Sequence, residues 1–461
     1  MTVPRTKISF IAFLFLVVSA VDSNRNLPAT AIFGTSLVFF FALAALFFLF
    51  PVTLVSAELG SISPKEGGVY HWIRMAFGEK MGVLAIWLQW VNTIVWFPTI
   101  LTFLAGTGAF LINPDLMYNK LYMVMMIAGI FWILTIANLY GIQLSSRLNS
   151  FCCSVGTLFP MGLLIVFGVF WVIKGDSLQI SITPKTLIPP FQHFNEWTAL
   201  IAVISSLTGI ELAGVHISSM SNAKKMFPRA ILIGATTILF LMLLGSLSIA
   251  AVLPRDDIHL AGGLMQVFAA FFHQFNLSSP IWIISFIIVL GSLGNLVNWI
   301  LSPVKGLLAI SEYGYLPAYF ARVNKHGVAS RILIAQAVFV TLLCLLFHLL
   351  PSVNAFYWFL MTLSSGIYMV MYVVMFFAIM RLRIRLNHQA FQIPGGMVGL
   401  VITCVFGLIG SLGVFAVSFI PPPGIPIASP GKYALMILIG YIVFIMPVFF
   451  LFRWRSQHRL R

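Results

Sequence analysis

The chain has 461 residues, of which 60% are hydrophobic and only 8% are charged, and its formal net charge is +15. Soluble domains carry about a quarter charged residues, so this composition excludes an ordinary cytosolic enzyme and a disordered tail. The four cysteines all lie in apolar runs, which excludes a disulfide scaffold.

Long apolar runs divide the chain into predicted membrane-spanning helices. A helix needs about 20 mostly apolar residues to cross a bilayer, whereas the strands of a barrel would alternate apolar with polar residues. We therefore expect an all-α membrane protein with a single polytopic domain, 1–461. The sequence predicts twelve spans, at 8–31, 36–59, 81–111, 121–139, 148–173, 196–219, 228–252, 279–311, 331–350, 354–380, 397–419 and 433–453.

The basic residues lie mainly in the short connections between these spans. With the N-terminus in the cytoplasm, most of the 26 Lys and Arg residues fall on the cytoplasmic side, which is the asymmetry that sets membrane topology. With twelve spans, both termini are then cytoplasmic. The alternative for the first run is a signal peptide, because Val18-Ser19-Ala20 resembles a cleavage site. Its removal would leave eleven spans and disturb the charge balance.

A polar segment interrupts the first span, at Asp22-Ser23-Asn24-Arg25-Asn26-Leu27-Pro28. A charged residue at the centre of a spanning helix costs about 3 kcal/mol on insertion scales, and Pro28 breaks the helix that precedes it. Such a segment is tolerated only where it is buried in protein or lines a watery cavity. Two readings stay open for the charges: Asp22 pairs with Arg25, or Arg25 attracts an anionic substrate group.

A second interruption lies in the sixth span, at Ser205-Ser206-Leu207-Thr208-Gly209-Ile210-Glu211. Interrupted helices at equivalent positions of two repeats indicate a transporter site near the middle of the bilayer. Backbone groups at residues 23–26 suit a carboxylate, and carbonyl groups at 205–208 suit an ammonium. The sequence thus predicts a site for an amino-acid zwitterion; a kinked structural helix is the alternative for either break alone.

Several motifs resemble the amino acid–polyamine–organocation superfamily, and most closely its bacterial glutamate/GABA antiporter branch. The resemblance covers nearly the whole chain in order. It rests on Ala57-Glu58-Leu59 with Pro64-Lys65-Glu66-Gly67-Gly68-Val69-Tyr70, Gly209-Ile210-Glu211-Leu212-Ala213-Gly214-Val215-His216, Met220-Ser221-Asn222, Pro228-Arg229-Ala230, Val252-Leu253-Pro254, Gly262-Gly263-Leu264-Met265-Gln266, Pro303-Val304-Lys305-Gly306 and Ile393-Pro394-Gly395-Gly396.

The resemblance implies a LeuT-like fold with broken helices 1 and 6 and substrate exchange by alternating access. Its two inverted repeats would be 8–173 and 196–380, followed by two further helices at 397–453. Two tyrosines four residues apart lie near the substrate in this branch, and Tyr368 and Tyr372 have that spacing; a core aromatic pair is the alternative. The chain departs from the branch at Asn295, where the branch has an acidic residue, and in the first break, where Arg25 lies near the position of an aromatic residue in the branch.

Glu211 and the charged residues at the cytoplasmic mouth have two interpretations each. Glu211 either orders the break in the sixth span or takes up a proton. Glu58, Lys65, Glu66 and Arg74, at the cytoplasmic mouth, either form ion pairs that open and close with the transport cycle or are solvated charges. Asn295 is expected to face the substrate side chain, together with Tyr368 and Tyr372.

No motif for ATP hydrolysis, a metal site or a catalytic nucleophile occurs in the sequence. We therefore expect no cofactor, no metal, no nucleic-acid partner and no enzymatic activity. The leading hypothesis is an amino-acid antiporter of the bacterial inner membrane, which exchanges an external amino acid for an internal amino acid or its amine. The alternatives are a proton-coupled amino-acid symporter and a membrane receptor that binds an amino acid without moving it.

Overall fold

The computed structural model of the chain describes residues 9–21, 23–63, 68–141, 151–152, 154–181, 183–189, 194–220, 222–277, 281–312, 314–385, 391–423 and 429–458. Within these ranges the structure is all-helical, without a β-strand. The all-α fold class predicted from the sequence is confirmed.

The helices follow one another with short connections. The α-helices are α1 Phe10–Val21, α2 Leu27–Ala31, α3 Leu37–Ala44, α4 Phe50–Ile62, α5 Val69–Phe77, α6 Glu79–Ala109, α7 Lys120–Leu139, α8 Phe159–Lys174, α9 Pro184–Leu187, α10 Ala199–Leu207, α11 Ala223–Val252, α12 Gly263–Gln274, α13 Ile281–Glu312, α14 Ser330–Cys344, α15 Leu346–Leu349, α16 Val353–Arg385, α17 Gly396–Val417, α18 Pro430–Ile445 and α19 Pro447–His458. The 3₁₀ segments are Asn24–Asn26, Gly34–Ser36, Pro114–Tyr118, Phe194–Thr198, Ile210–Ser219 and Arg255–Asp257, and the π segments are Ala45–Leu49 and Ser154–Leu158.

Ten helical stretches in the described part of the chain are long and apolar enough to cross a membrane. They are Gly34–Ile62, Glu79–Ala109, Lys120–Leu139, Ser154–Lys174, Asn195–Ile217, Lys224–Val252, Ile281–Ser311, Val353–Arg385, Gly396–Val417 and Pro430–Arg455. The chain is therefore a multi-pass membrane protein.

Two of the twelve predicted spans are not among these ten stretches. The first is divided into α1, of 12 residues, and α2, of 5 residues, because the polar segment between them is not α-helical. The ninth is the 15-residue helix α14, which is followed by the short helix α15. The count of twelve remains a prediction.

Two long helices form the centre of the molecule. The helices α6 and α16 pack against each other, and α6 also packs against α13. Most residues of α6 and α16 are buried, as expected for helices that are apolar on all sides. In contrast, α17 and α18 expose large side chains such as Leu412 and Leu435, both more than half accessible. The polar residues of the central helices are therefore held inside the protein.

Candidate functional site

The first predicted span is broken in the middle. Helix α1 ends at Val21, the 3₁₀ segment Asn24–Asn26 follows, and α2 begins at Leu27. Pro28 stands at the start of α2, where its missing N–H group leaves no hydrogen bond unmade and its fixed φ favours the first helical turn. All three residues of the 3₁₀ segment are buried, so their polar side chains need partners inside the protein.

The two asparagines of this break keep polar atoms without partners. The Asn24 amide nitrogen donates to the backbone carbonyls of Gly156 and Thr157, at 3.3 Å each. These bonds fix the orientation of the amide and leave its Oδ1 buried without a hydrogen-bond partner. The Oδ1 of Asn26 is likewise buried and unpartnered. Both oxygens are therefore buried acceptors with unused hydrogen-bonding capacity, on residues that the structure places at one break.

Arg25 lies between these asparagines and is only 5% exposed. One guanidinium nitrogen donates to the Thr99 hydroxyl at 2.9 Å, and the guanidinium carbon lies 5.0 Å from the centre of the Trp96 ring. The Thr99 hydroxyl itself donates to the Trp96 carbonyl at 2.7 Å, so that its lone pairs are turned toward Arg25. The Nε of Arg25 has no hydrogen-bond partner. The guanidinium is thus held in place and keeps an unused donor.

The sixth predicted span is also broken. Helix α10 ends at Leu207, Thr208 is extended, and a 3₁₀ segment, Ile210–Ser219, begins after Gly209. The φ of Gly209 is 108°, a conformation that residues with a Cβ rarely adopt. The Thr208 hydroxyl donates to the Ser205 carbonyl at 2.9 Å. The glycine of the sequence motif therefore permits the sharp change of direction at this break.

Glu211 is fully buried just beyond the second break and is bound by two tyrosines of α16. The Tyr368 hydroxyl donates to one carboxylate oxygen, and the Tyr372 hydroxyl donates to the other at 2.7 Å. The Tyr372 hydroxyl also accepts from the backbone N–H of Gly209 at 3.1 Å. This network favours the interpretation of Glu211 as a residue that orders the break.

A cavity of about 120 Å³ lies between the two breaks. Eight of the predicted site residues line it: Ser23, Asn24, Arg25, Asn26, Ser205, Thr208, Gly209 and Tyr368. Glu211 and Tyr372 are not part of its lining; they lie behind Tyr368, where their polar groups bind one another. The structure therefore joins residues of both breaks in one site and places Tyr372 in a supporting position.

The remaining substrate-binding candidate, Asn295, lies on α13. Its side chain lies outside what the structure describes, and its role stays a prediction. Three neighbours on α13 line the cavity, namely Ser292, Leu296 and Trp299.

The sequence interpretation missed one face of α6. The cavity is also lined by Gln89, Asn92, Trp96 and Thr99, which recur every three or four residues and therefore lie on one side of the helix. The side-chain amide oxygen of Asn92, Oδ1, accepts from the Ser364 hydroxyl of α16 at 2.6 Å. The signal was present in the sequence, because polar side chains at this spacing in an apolar span indicate a helix face turned toward a polar interior.

The predicted gating residues are only partly described. Asp22, Lys65 and Glu66 lie outside the described residues. Glu58 is buried and forms an ion pair with Arg383 at 2.7 Å, and the same carboxylate oxygen accepts from the backbone N–H of Ile393 at 2.8 Å. Arg74 lies over the ring of Tyr70, at 5.9 Å from its centre. Glu58 thus joins α4 to the end of α16 and the segment that follows it.

The cavity combines groups of opposite hydrogen-bonding character. Arg25 donates, whereas the unpartnered amide oxygens of Asn24 and Asn26 accept. The rings of Trp96 and Trp299, with centres 5.7 Å apart, form an apolar wall. A ligand with an anionic group, a cationic group and a short apolar part matches this lining.

Comparison with known proteins identifies the family. The amino acid permease family model matches residues 8–446. An uncharacterized transporter of Legionella pneumophila is 38% identical over 436 residues, which cover 94% of each chain. A glutamate/gamma-aminobutyrate antiporter of Lactococcus lactis is 28% identical, over 95% of this chain and 88% of the relative. A probable agmatine/putrescine antiporter of Lactococcus lactis is 25% identical, over 82% and 80%.

The family match spans nearly all of the chain, and the relatives are aligned over most of their own length. These matches confirm the resemblance to the glutamate/GABA antiporter branch that the motifs indicate. The chain belongs to the amino acid permease family, within the amino acid–polyamine–organocation superfamily.

Proposed function

We propose that the protein is an amino-acid antiporter that exchanges an external amino acid for an internal amino acid or its amine. The observation that carries this proposal is the cavity between the two helix breaks, whose lining residues Asn24, Arg25 and Asn26 each keep a buried donor or acceptor without a partner. The names of the relatives support the antiporter class, because two of them are antiporters of amino acids or amines.

The proposed architecture has twelve spans in the bacterial inner membrane, with both termini in the cytoplasm. Its first ten spans form two inverted repeats, 8–173 and 196–380, and the last two lie at 397–453. The two observed breaks support this scheme, since they interrupt the first helix of each repeat. The excess of basic residues in alternate connections supports the orientation.

Alternating access requires contacts that close one side of the cavity. The Tyr357 hydroxyl donates to the Arg25 carbonyl at 2.8 Å. Nearby, the rings of Phe33 and Trp358 meet edge to face with centres 6.2 Å apart. In the proposed orientation, these contacts lie between the first break and the external side. They would separate when the cavity opens outward, and re-form when it opens toward the cytoplasm.

Counterflow in proteoliposomes tests this proposal. Vesicles containing the purified protein are loaded with one unlabelled amino acid or amine, and uptake of the labelled compound is measured across a panel of both classes. An antiporter takes up label only with internal substrate, and an ionophore that abolishes the pH gradient leaves this uptake unchanged. Binding without any counterflow would refute transport and indicate a receptor.

A matched pair of variants connects transport to the cavity. Asn26→Ala removes a buried amide whose oxygen has no partner, so the fold should persist while apparent affinity falls about tenfold or more. The control is Asn138→Ala on α7, another buried asparagine with an unpartnered amide oxygen, whose nitrogen donates to Leu134 of its own helix at 2.9 Å. Equal transport kinetics in the two variants would contradict the assignment of the site.

Proton-coupled symport is the second candidate, and one observation favours it. Glu211 is a fully buried carboxylate that is bonded to Tyr368 of the cavity wall, and a proton taken up there would be close to the substrate. The same vesicles distinguish the two mechanisms. Uptake that needs a pH gradient and ignores internal substrate would establish symport and refute exchange.

A further inference from the structure

The described residues that line the cavity carry an unbalanced charge. Among the described residues that line it, Arg25 is the single charged side chain, and none is Asp or Glu. No carboxylate of a described residue forms an ion pair with Arg25. A buried charge is stable only when it is paired or strongly hydrogen-bonded, and the hydroxyl of Thr99 supplies one neutral acceptor.

The guanidinium is also prepared for a planar anion. Its position is fixed by a hydrogen bond to the Thr99 hydroxyl and by contact with the ring of Trp96. The unused Nε donor is buried at the cavity. A guanidinium can give two parallel hydrogen bonds to a carboxylate, and such pairs are stronger than neutral hydrogen bonds.

We infer that Arg25 makes this protein selective for carboxylates, so that both exchanged substrates carry a carboxylate group and amines that lack one are excluded. This inference rests on the proposed exchange function and restricts its substrates. A decarboxylated amine can be the counter-substrate only if it keeps another carboxylate group. A diamine or an alkylamine would place a second cation beside Arg25 in a cavity where no described side chain is anionic.

The neighbouring residues provide a place for the amine of such a substrate. The unpartnered oxygens of Asn24 and Asn26 flank Arg25 along the chain and accept hydrogen bonds from an ammonium group. The last carbonyl groups of α10 are further acceptors at the second break. An amino acid therefore satisfies both the donor and the acceptors, whereas an amine satisfies only the acceptors.

Pairs of compounds that differ by one carboxylate test this inference. The probes are 4-aminobutyrate with n-propylamine, and ornithine with putrescine, each offered as competitor and as internal substrate in counterflow. The wild-type protein is expected to prefer the compound with the carboxylate in each pair by tenfold to hundredfold, since the amine loses about one to two hydrogen bonds to a charged group. Wild-type exchange of amines as fast as their carboxylate partners would overturn the inference.

Variants of Arg25 assign the selectivity to this residue. Arg25→Gln should weaken carboxylate binding and reduce the preference at least tenfold, while Arg25→Lys should keep a preference of the same sign because the charge remains. Lys432→Gln, which removes one charge from an exposed position outside the cavity, is the control and should match the wild type. An unchanged preference in Arg25→Gln would overturn the assignment.

The outcomes separate this inference from the proposed function. Absence of counterflow for every compound in the wild-type protein refutes the exchange function itself, whereas counterflow that is equally efficient with amines refutes only the carboxylate requirement. Because Arg25→Gln can fail to fold, each variant is checked by size-exclusion chromatography. Thr99→Val is then the substitute: it removes the acceptor that holds Arg25, and should weaken carboxylate binding while the preference keeps its sign.

Discussion

Replacing Tyr372 by phenylalanine should destabilise the second helix break without changing the packing of the ring. The ring of Tyr372 meets Phe48 edge to face at 5.0 Å, and phenylalanine preserves that contact. The lost hydroxyl, however, bridges the carboxylate of Glu211 at 2.7 Å and the backbone N–H of Gly209 at 3.1 Å. Both groups would remain buried without this partner.

The expected magnitude follows from these two hydrogen bonds. A hydrogen bond to a charged group contributes about 1.5–3 kcal/mol, and a buried donor left unsatisfied costs about 1–3 kcal/mol. Together they predict that Tyr372→Phe lowers the free energy of unfolding by about 2.5–6 kcal/mol. Tyr433→Phe is the matched control, because the hydroxyl of this buried tyrosine bonds only to Thr362, at 3.2 Å. It should lower stability by about 1 kcal/mol.

Unfolding of the purified protein in mixed micelles, followed by tryptophan fluorescence during a denaturant titration, measures both variants. A double-mutant cycle with Glu211→Gln tests the cause. If the carboxylate of Glu211 is the group left without its partner, the loss caused by Tyr372→Phe should shrink when Glu211 is already neutral. Equal stability of Tyr372→Phe and Tyr433→Phe, or a cycle without coupling, would refute this reasoning.

Three further predictions concern stability and use the same titration. Glu58→Gln should lower the free energy of unfolding by about 3–5 kcal/mol because it leaves Arg383 buried without its ion pair. A variant in which both residues are apolar should regain most of this lost stability. Gly209→Ala should lower the free energy of unfolding by about 1–2 kcal/mol, because a residue with a Cβ is strained at the φ of 108° found there. Gly129→Ala should not lower it, because a Cβ at that position would meet open space. Burial lowers the pKa of His259, in a connection outside the spans, to about 4. Since the unfolded imidazole titrates near 6.5, stability should fall by up to about 3 kcal/mol between pH 6.5 and 4, and His259→Asn should remove this dependence.

The sequence contains the local signals for both breaks, and therefore the centre of the site could be predicted. Charged and amide residues followed by Pro28 cannot continue a membrane helix, and the chain is indeed not α-helical at Asn24–Asn26. Gly209 marks the second break in the same way. Such signals involve only a few neighbouring residues. They locate a helix break but do not indicate which distant residues contact it.

The partners come from distant parts of the chain, which local patterns cannot reveal. Glu211 binds tyrosines 157 and 161 residues away, and Glu58 binds Arg383, 325 residues away. Neither pairing follows from spacing within one helix. The spacing of Tyr368 and Tyr372 does place them on one face, yet only the packing of α16 determines that one lines the cavity and the other lies behind it.

Helix α16 links the two breaks through side chains along its length. Its hydroxyl at Tyr357 bonds to the first break, whereas Ser365 and Tyr372 bond to residues of the second. From Tyr357 to Tyr372 the helix rises about 22 Å. One inserted or deleted residue in this stretch of regular helix would rotate the side chains beyond it by about 100°. The hydrogen bonds to one of the two breaks would then be lost. The length of this stretch, and not only its side chains, therefore holds both breaks on one helix.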